Sequence, residues 1–164
     1  MIKAKNLVPF LILISLLTSE FLFAQEEHLI ESKHEKEPGL EIVASGLFIN
    51  NPEIKRFDPA TELHITYWTS HKWAFGVGYT LVFEEERVGH ELAALVSHKP
   101  WSFLTINAGP SFSLPNAHKK FETSVYIEGE FNFKLNIFHF GPLIGSLVGE
   151  EFRVFGGIHF GYEF

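Results

Sequence analysis

The sequence predicts an all-β chain that folds as an eight-stranded antiparallel up-and-down transmembrane β-barrel, and three observations lead to this. The final fourteen residues, 151–164, alternate between apolar side chains and small or polar ones, the period-two pattern of a strand. Eight such segments follow one another, each near the ~9–11 residues of a tilted membrane strand. The chain also begins with an export signal, so a bilayer is the predicted apolar medium.

Residues 1–24 have the features of a secretory signal peptide. Two lysines near the N-terminus form a basic segment, and an apolar run follows over residues 7–17. We expect cleavage after Ala24 or Gln25. An uncleaved transmembrane helix is the alternative, but Glu20 lies inside it.

The remainder divides into a flexible periplasmic leader, 25–38, and one barrel domain, 39–164. Without residues 1–24 the net charge moves from -7 to -8, with 11 Lys and Arg against 19 Asp and Glu. An acidic exported chain is a poor partner for nucleic acid, whose phosphates require clustered basic residues. The chain has no cysteine, which excludes disulfides, thiolate metal sites and an N-terminal lipid anchor. No motif for a nucleotide or metal is present, so we expect no cofactor and no metal site.

The strands are predicted from alternation and from the turn residues between them. The third and sixth segments alternate most clearly, with bulky apolar side chains on one face and glycine, hydroxyl or charged side chains on the other. An eight-stranded barrel encloses an interior that side chains just fill, so the small and polar faces are predicted to point inward. The eight segments are Leu40–Ile49, Thr61–Thr69, Trp73–Phe83, His90–His98, Ser102–Ser113, Glu122–Leu135, Phe138–Val148 and Phe152–Phe164.

The connections alternate in length, as they do in outer-membrane barrels with short periplasmic turns. Tight turns are predicted over 69–72, 98–101 and 135–137. Longer loops are predicted at Asn50–Ala60, Glu84–Gly89 and Leu114–Phe121, while the connection over 149–151 is short. The main alternative fold is a soluble lipocalin-like barrel with its apolar face inward, which would carry more lysines and fewer glycines on its polar face.

Aromatic residues near the tight turns predict a membrane-interface girdle at the periplasmic end. Tryptophan rings prefer that depth because they are apolar bodies with a polar edge. The predicted members are Trp68, Trp73, Trp101, Phe138 and Phe164.

The inward faces predict a polar network that fills the lumen. Buried charges must be paired, so the simplest interpretation is a self-satisfied scaffold. Glu128 and Glu130 lie two residues apart on one face, and with His64, Arg153 or His159 they form an alternative site that passes protons or holds a cation. The predicted network comprises Glu62, His64, Glu128, Glu130, Lys134, His139, Arg153 and His159.

The predicted outer loops and the strand ends beside them offer two further candidate sites, one for lipopolysaccharide and one for an enzyme. Basic residues at Lys55 and Arg56 and at His118, Lys119 and Lys120 are candidates for binding lipopolysaccharide phosphates, or are ordinary solvated loop residues. A lipid A or phospholipid acyl-modifying enzyme needs a nucleophile and a histidine base. Only His90 or His118 with Ser111 or Ser113 offer that combination, and no nucleophile motif surrounds them, so no enzymatic activity is expected.

The alternating strands and the terminal Gly161-Tyr162-Glu163-Phe164 resemble the small outer-membrane barrels of the OmpA transmembrane domain and OmpX type. The segments WAFGVGYTLVFE, NAGPSF and GIHFGYEF are also similar to uncharacterised exported barrels of Bacteroidetes type. The resemblance implies a cell outer-membrane location, insertion by the barrel-assembly machinery and contact with membrane lipids and lipopolysaccharide. From the residues we expect a monomeric or weakly associating barrel with a side-chain-filled lumen and a structural or loop-mediated binding role; a narrow cation-selective channel is the alternative.

Overall fold

The computed structural model describes residues 39–53, 55–85, 87–115 and 121–164. The predicted signal peptide, the predicted leader and the cluster His118, Lys119 and Lys120 lie outside the described residues. No helix in the described part of the chain is long and apolar enough to cross a membrane.

The described residues form nine β-segments in one closed antiparallel sheet. The order is β6-β5-β4-β3-β2-β1-β9-β8-β7, and pairing of β6 with β8 closes it into a barrel. The segments are β1 (Gly39–Asn51), β2 (Arg56–Trp68), β3 (Trp73–Glu84), β4 (Arg87–Trp101), β5 (Leu104–Ser113), β6 (Glu122–Phe131), β7 (Phe133–Leu135), β8 (Phe138–Gly149) and β9 (Phe152–Glu163).

Segments β6 and β7 are two parts of one strand that is interrupted at Asn132. Their register against β8 is the same on both sides of the gap. The register places Pro142 of β8 opposite Phe131 and Gly141 opposite Asn132, and Pro142 has no N–H to donate to the ladder. Gly141 beside it lets the two strands approach, since a Cβ there would lie 1.7 Å from the carbonyl oxygen of Phe131. Counted as one strand, β6 and β7 complete eight, and the predicted all-β, eight-stranded antiparallel barrel is confirmed.

The register sets the width of the barrel. A path perpendicular to the strands leaves β1 at Ile49, crosses each strand once and returns to β1 at Gly39, ten residues away. This shear of ten over eight strands corresponds to a tilt of roughly 40° and a backbone radius of about 8 Å. Long side chains from opposite walls can therefore meet at the axis. The path passes through Ile49, Phe155, Gly145, Glu128, Asn107, Ser97, Ala74, Trp68 and Gly39.

The strands are longer than predicted at one end of the barrel, here called the upper end. The predicted loop Asn50–Ala60 is wrong, because β1 and β2 stay paired as far as Asn51 and Arg56. A tight turn in which Lys55 has a φ of 53° joins them. Pro59 is tolerated within β2 because it lies beyond the pairs that β2 makes with β3.

Two further connections differ from their predicted bounds. The predicted loop Glu84–Gly89 is also wrong, since β3 and β4 pair as far as Glu84 and Arg87. At the other end, here called the lower end, β4 continues to Trp101 and the turn lies at 102–103 instead of 98–101. The register shifts between His98 and Trp101, so an irregularity occupies the predicted turn.

Candidate functional site: the barrel lumen

Inward and outward side chains alternate along every strand, and the polar ones point inward. The outer wall carries large exposed hydrophobic residues on all eight strands, including Phe48, Ile65, Phe75, Val96, Ile106, Ile127, Ile144 and Phe160. Of the eight residues predicted for the lumen network, seven are buried inside the barrel. Lys134 lies at the lower mouth, with its side chain 35% exposed. Interior contacts occur at three levels between the two ends.

The upper level is an ion pair across the lumen. Arg153 of β9 binds Glu91 of β4 through Nη1. Strands β4 and β9 are four strands apart in the closed sheet of eight, so they lie on opposite walls of the barrel. Ser113 donates a hydrogen bond to the same Glu91 oxygen over 3.1 Å. Both charged side chains are buried, so each depends on the other for its charge balance.

A band of apolar side chains packs around and below this ion pair. Tyr126 and Phe155 stack with ring centroids 5.4 Å apart, and aliphatic side chains from the other walls surround them. Seven of the eight strands, all but β5, contribute side chains to this band. The band consists of Leu47, Ile49, Ala60, Val82, Ala93, Leu95, Tyr126, Leu143, Leu147 and Phe155.

The middle level is a group that we call the central cluster, formed by Glu62 and His64 of β2 and by Glu128 and Glu130 of β6. His64 lies between the carboxylates: its Nε2 is 3.1 Å from Glu62 Oε1, and its Nδ1 is 3.6 Å from Glu130 Oε1 and 3.9 Å from Glu128 Oε1. Strands β2 and β6 stand on opposite walls, so the central cluster also connects the two sides of the barrel.

Neutral donors hold the carboxylates of the central cluster in place. Tyr126 Oη donates to Glu62 Oε1 over 3.0 Å, and Thr80 Oγ1 donates to Glu62 Oε2 over 2.7 Å. Asn107 Nδ2 lies 2.9 Å from Oε1 of both Glu128 and Glu130. A single amide group thus bridges two buried carboxylates.

The lower level contains Trp68, which the sequence analysis assigned to the aromatic girdle. That prediction is wrong, because Trp68 is only 2% exposed and points into the lumen. Its Nε1 donates to Glu41 Oε2 over 2.6 Å, and Lys99 Nζ lies 4.3 Å from its ring centroid. Residue 68 points inward because it continues the buried series of Glu62, His64 and Thr66 on β2. The Glu41 carboxylate satisfies the indole N–H there.

Other lower-level groups connect β4, β8 and β9. Lys99 of β4 lies 3.6 Å from Glu163 of β9, again across the barrel. His139 Nε2 is 2.9 Å from Glu41 Oε1. The rings of His139 and His159 are 5.4 Å apart, and His159 Nε2 is 3.2 Å from Asn132 Oδ1.

The other predicted girdle residues lie on the outside at the lower end. Trp73, Trp101, Phe138 and Phe164 are exposed there, and Trp73 packs against His98 with ring centroids 4.2 Å apart. Four of the five predicted rings thus lie on the outer surface at the lower end.

The described loop candidates lie at the upper end of the barrel, and the enzyme candidate His90 lies on its outer surface. Arg56 is ion-paired at the upper end, 2.6 Å from Asp58 and 3.1 Å from Glu84, while Lys55 lies in the turn before it. His90 points outward and contacts Tyr79 Oη at 2.7 Å.

Ser111 and Ser113, which were paired with His90 as enzyme candidates, are buried in the lumen. The barrel wall therefore separates His90 from both hydroxyls. The histidine of the other candidate pairing, His118, lies outside the described residues.

Three residues of the interior were not assigned a role from sequence. Lys99 was placed in a turn, and Tyr126 and Asn107 were not recognised as partners of the central cluster. Their inward position follows from strand alternation once β4, β5 and β6 are known. Their contacts depend on the register.

Comparison with known structures supports the fold. The N-terminal β-barrel domain of Pseudomonas aeruginosa OprF superimposes with a TM-score of 0.63 at 13% sequence identity, over 80% of this chain and 100% of that one. No protein-family model matches the chain, and no curated protein matches it. The likeness to this β-barrel domain agrees with the predicted eight-stranded barrel architecture. The resemblance to OmpX and to Bacteroidetes-type barrels stays a prediction.

Proposed function

We propose that this chain is a monomeric outer-membrane β-barrel with a closed lumen, and that its role is structural or depends on binding at its upper end. The proposal includes export through a cleaved signal peptide and insertion by the barrel-assembly machinery with the lower end in the periplasm. It is supported by the apolar outer wall, the polar interior and the likeness to the OprF barrel domain.

The outer wall fits the thickness of a bilayer. Most of the strands have 12 or 13 residues. At a tilt of roughly 40° and a rise of about 3.3 Å per residue, such strands span about 30 Å along the barrel axis. The hydrocarbon core of a bilayer has about that thickness. The four exposed rings at the lower end would then lie at one membrane interface.

The contacts that cross the lumen are the observation that carries the proposed function. Glu91 with Arg153, the central cluster, and Lys99 with Glu163 each connect opposite walls, and an apolar band packs below the first of them. An ion passing through would have to break these contacts and lose its hydration within the band. A porin-like channel requires a wider, water-filled interior.

A narrow cation-selective channel is the second candidate, because the central cluster is rich in carboxylates. Conductance in planar bilayers separates the two candidates. We expect no discrete conductance steps from the wild-type protein under conditions in which a general porin gives clear steps. Cation-selective steps that disappear in a Glu128→Gln, Glu130→Gln double variant would contradict the closed lumen.

Membrane insertion is tested separately by fractionation and heat-modifiability. We expect recovery with outer membranes and a gel shift between unboiled and boiled samples, as folded barrels resist detergent denaturation without heat. A protein that is soluble without detergent would overturn the membrane assignment.

The binding part of the proposal concerns lipopolysaccharide at the upper end. Lys55 lies at that end, and Arg56 beside it already has two carboxylate neighbours. The sequence adds His118, Lys119 and Lys120, which lie outside the described residues. Binding to lipopolysaccharide vesicles that is weakened by Lys119→Gln, Lys120→Gln but not by Arg56→Gln would support this role. No enzymatic activity is included in the proposal.

A further inference from the structure

The central cluster contains more buried negative groups than its basic partners balance. Glu62, Glu128 and Glu130 surround the single imidazole of His64, and none of the three forms an ion pair with a described lysine or arginine. All four side chains are at most 5% exposed. Buried charge of one sign requires a counter-charge in direct contact.

One carboxylate oxygen in the cluster has no hydrogen-bond partner. Glu128 is 1% exposed, and while its Oε1 accepts from Asn107, its Oε2 accepts no hydrogen bond. A buried carboxylate oxygen is normally satisfied by a donor or by a cation. Glu128 Oε2 therefore points to a ligand independently of the charge excess.

The spacing of the donor atoms suits a metal ion. One ligand atom each from Glu62, His64 and Glu128 lies within 4.8 Å of the other two, and His64 Nε2 is 3.1 Å from Glu62 Oε1. Ligands of tetrahedral Zn²⁺ bind at about 2.0–2.2 Å and lie roughly 3.3 Å apart. The separation of His64 Nε2 and Glu62 Oε1 is close to that spacing.

We infer that Glu62, His64 and Glu128 bind one divalent transition-metal ion of zinc type inside the barrel. Two carboxylates and a neutral imidazole neutralise a charge of +2, and a mixed nitrogen and oxygen donor set favours Zn²⁺ over Mg²⁺ or Ca²⁺. Glu130 and Asn107 act as outer partners that orient the ligands, since Asn107 contacts both Glu128 and Glu130.

A second group of possible ligands, Glu41, His139 and Glu163 at the lower level, is less suited to a metal. Lys99 and Lys134 already lie 3.6 Å and 3.9 Å from Glu163 Oε1. These ammonium groups supply positive charge where a metal would have to bind. The lower group therefore serves as the internal comparison.

The ion joins strands on opposite walls and is enclosed by the apolar band above and the lower-level contacts below. It must therefore enter as the barrel closes. We expect a chelator to remove it slowly from the folded barrel and rapidly after unfolding.

The test is the metal content of full-length protein that is expressed in a Gram-negative host, extracted from membranes in detergent, unfolded in urea, refolded into detergent in the presence of Zn²⁺ and then dialysed without it. We expect about one zinc per barrel by mass spectrometry of the metal, reduced to near zero in Glu128→Gln and His64→Gln and unchanged in Glu41→Gln. A gel shift on boiling establishes that each variant is folded.

If the variants fail to fold, Co²⁺-loaded wild-type protein is measured instead, with visible absorption bands of a four-coordinate nitrogen and oxygen site as the expected result. Wild-type protein without bound metal would overturn the inference. It would also be overturned by zinc that persists in both central variants or disappears in Glu41→Gln. The gel shift reports the folded barrel, and the metal content reports the site. A barrel that shifts on boiling but holds no metal would therefore overturn this inference and leave the proposed function standing.

Discussion

Replacing Arg153 by methionine tests whether the ion pairs across the lumen stabilise the barrel. The substitution keeps a long side chain but leaves Glu91 buried without its cationic partner. Two charges at about 4 Å attract by about 4 kcal/mol when the effective dielectric constant is about 20. The hydrogen bond from Ser113 to Glu91 is present with and without Arg153, so it does not enter this difference. We therefore expect Arg153→Met to lower the free energy of unfolding by about 4 kcal/mol, within the range of values for broken buried pairs.

The measurement is reversible urea unfolding in detergent micelles or lipid vesicles, followed by tryptophan fluorescence. The double variant Glu91→Gln, Arg153→Met removes both charges, and we expect it to recover to within about 1 kcal/mol of wild type because no unpaired charge remains. An Arg153→Met variant that loses less than about 1 kcal/mol would refute the reasoning, since it would mean that water or another group already balances Glu91.

Three further predictions concern a buried tryptophan, a glycine at a close strand contact and the conductance of the barrel. Trp68→Phe removes the donor to the buried Glu41 carboxylate and should lower the free energy of unfolding by about 1–3 kcal/mol. Trp73→Phe on the outer surface should lower it by less than about 0.5 kcal/mol. Equal losses in the two variants would contradict the inward position of Trp68. Gly109→Ala should abolish the heat-modifiable band, because its Cβ would lie 1.8 Å from the carbonyl oxygen of Ala94, while Gly46→Ala, with nothing within 4 Å, should fold as wild type. The wild-type barrel should be electrically silent in planar bilayers, and stable cation-selective steps would contradict the closed lumen.

Strand alternation carries most of what the sequence could reveal. It assigned the inward side chains of β2, β6 and β9 because a period of two distinguishes the faces without knowledge of their neighbours. The upper loops were predicted too long because Asn, Pro and Asp around position 55 are typical of turns. In the barrel, pairing with β1 holds most of that segment in strand.

The contacts within the lumen depend on the shear, which no local pattern encodes. Glu62 and Tyr126 are separated by 64 residues, yet their side chains form a hydrogen bond. A shift of two residues in any strand pair would keep every side chain on its face but replace these partners. The sequence predicted that Glu128 and Glu130 meet His64, Arg153 or His159 across the lumen but could not choose among them. The register places His64 there and pairs Arg153 with Glu91 instead. Trp68 was misplaced because a tryptophan beside a turn is typical of a membrane interface, and its buried carboxylate partner, Glu41, lies on another strand.

The position of β9 in the chain has a consequence for assembly. Arg153 and Glu163, which meet Glu91 and Lys99 across the lumen, both belong to this segment, which follows the other strands in synthesis. A nascent sheet that lacks β9 holds two inward charges on β4 without these counter-ions, and its β1 edge has no neighbour. Pairing of these buried charges and closure of the sheet edge therefore occur in the same step. Partly assembled chains are thereby kept polar, open and distinguishable from finished barrels until that strand docks.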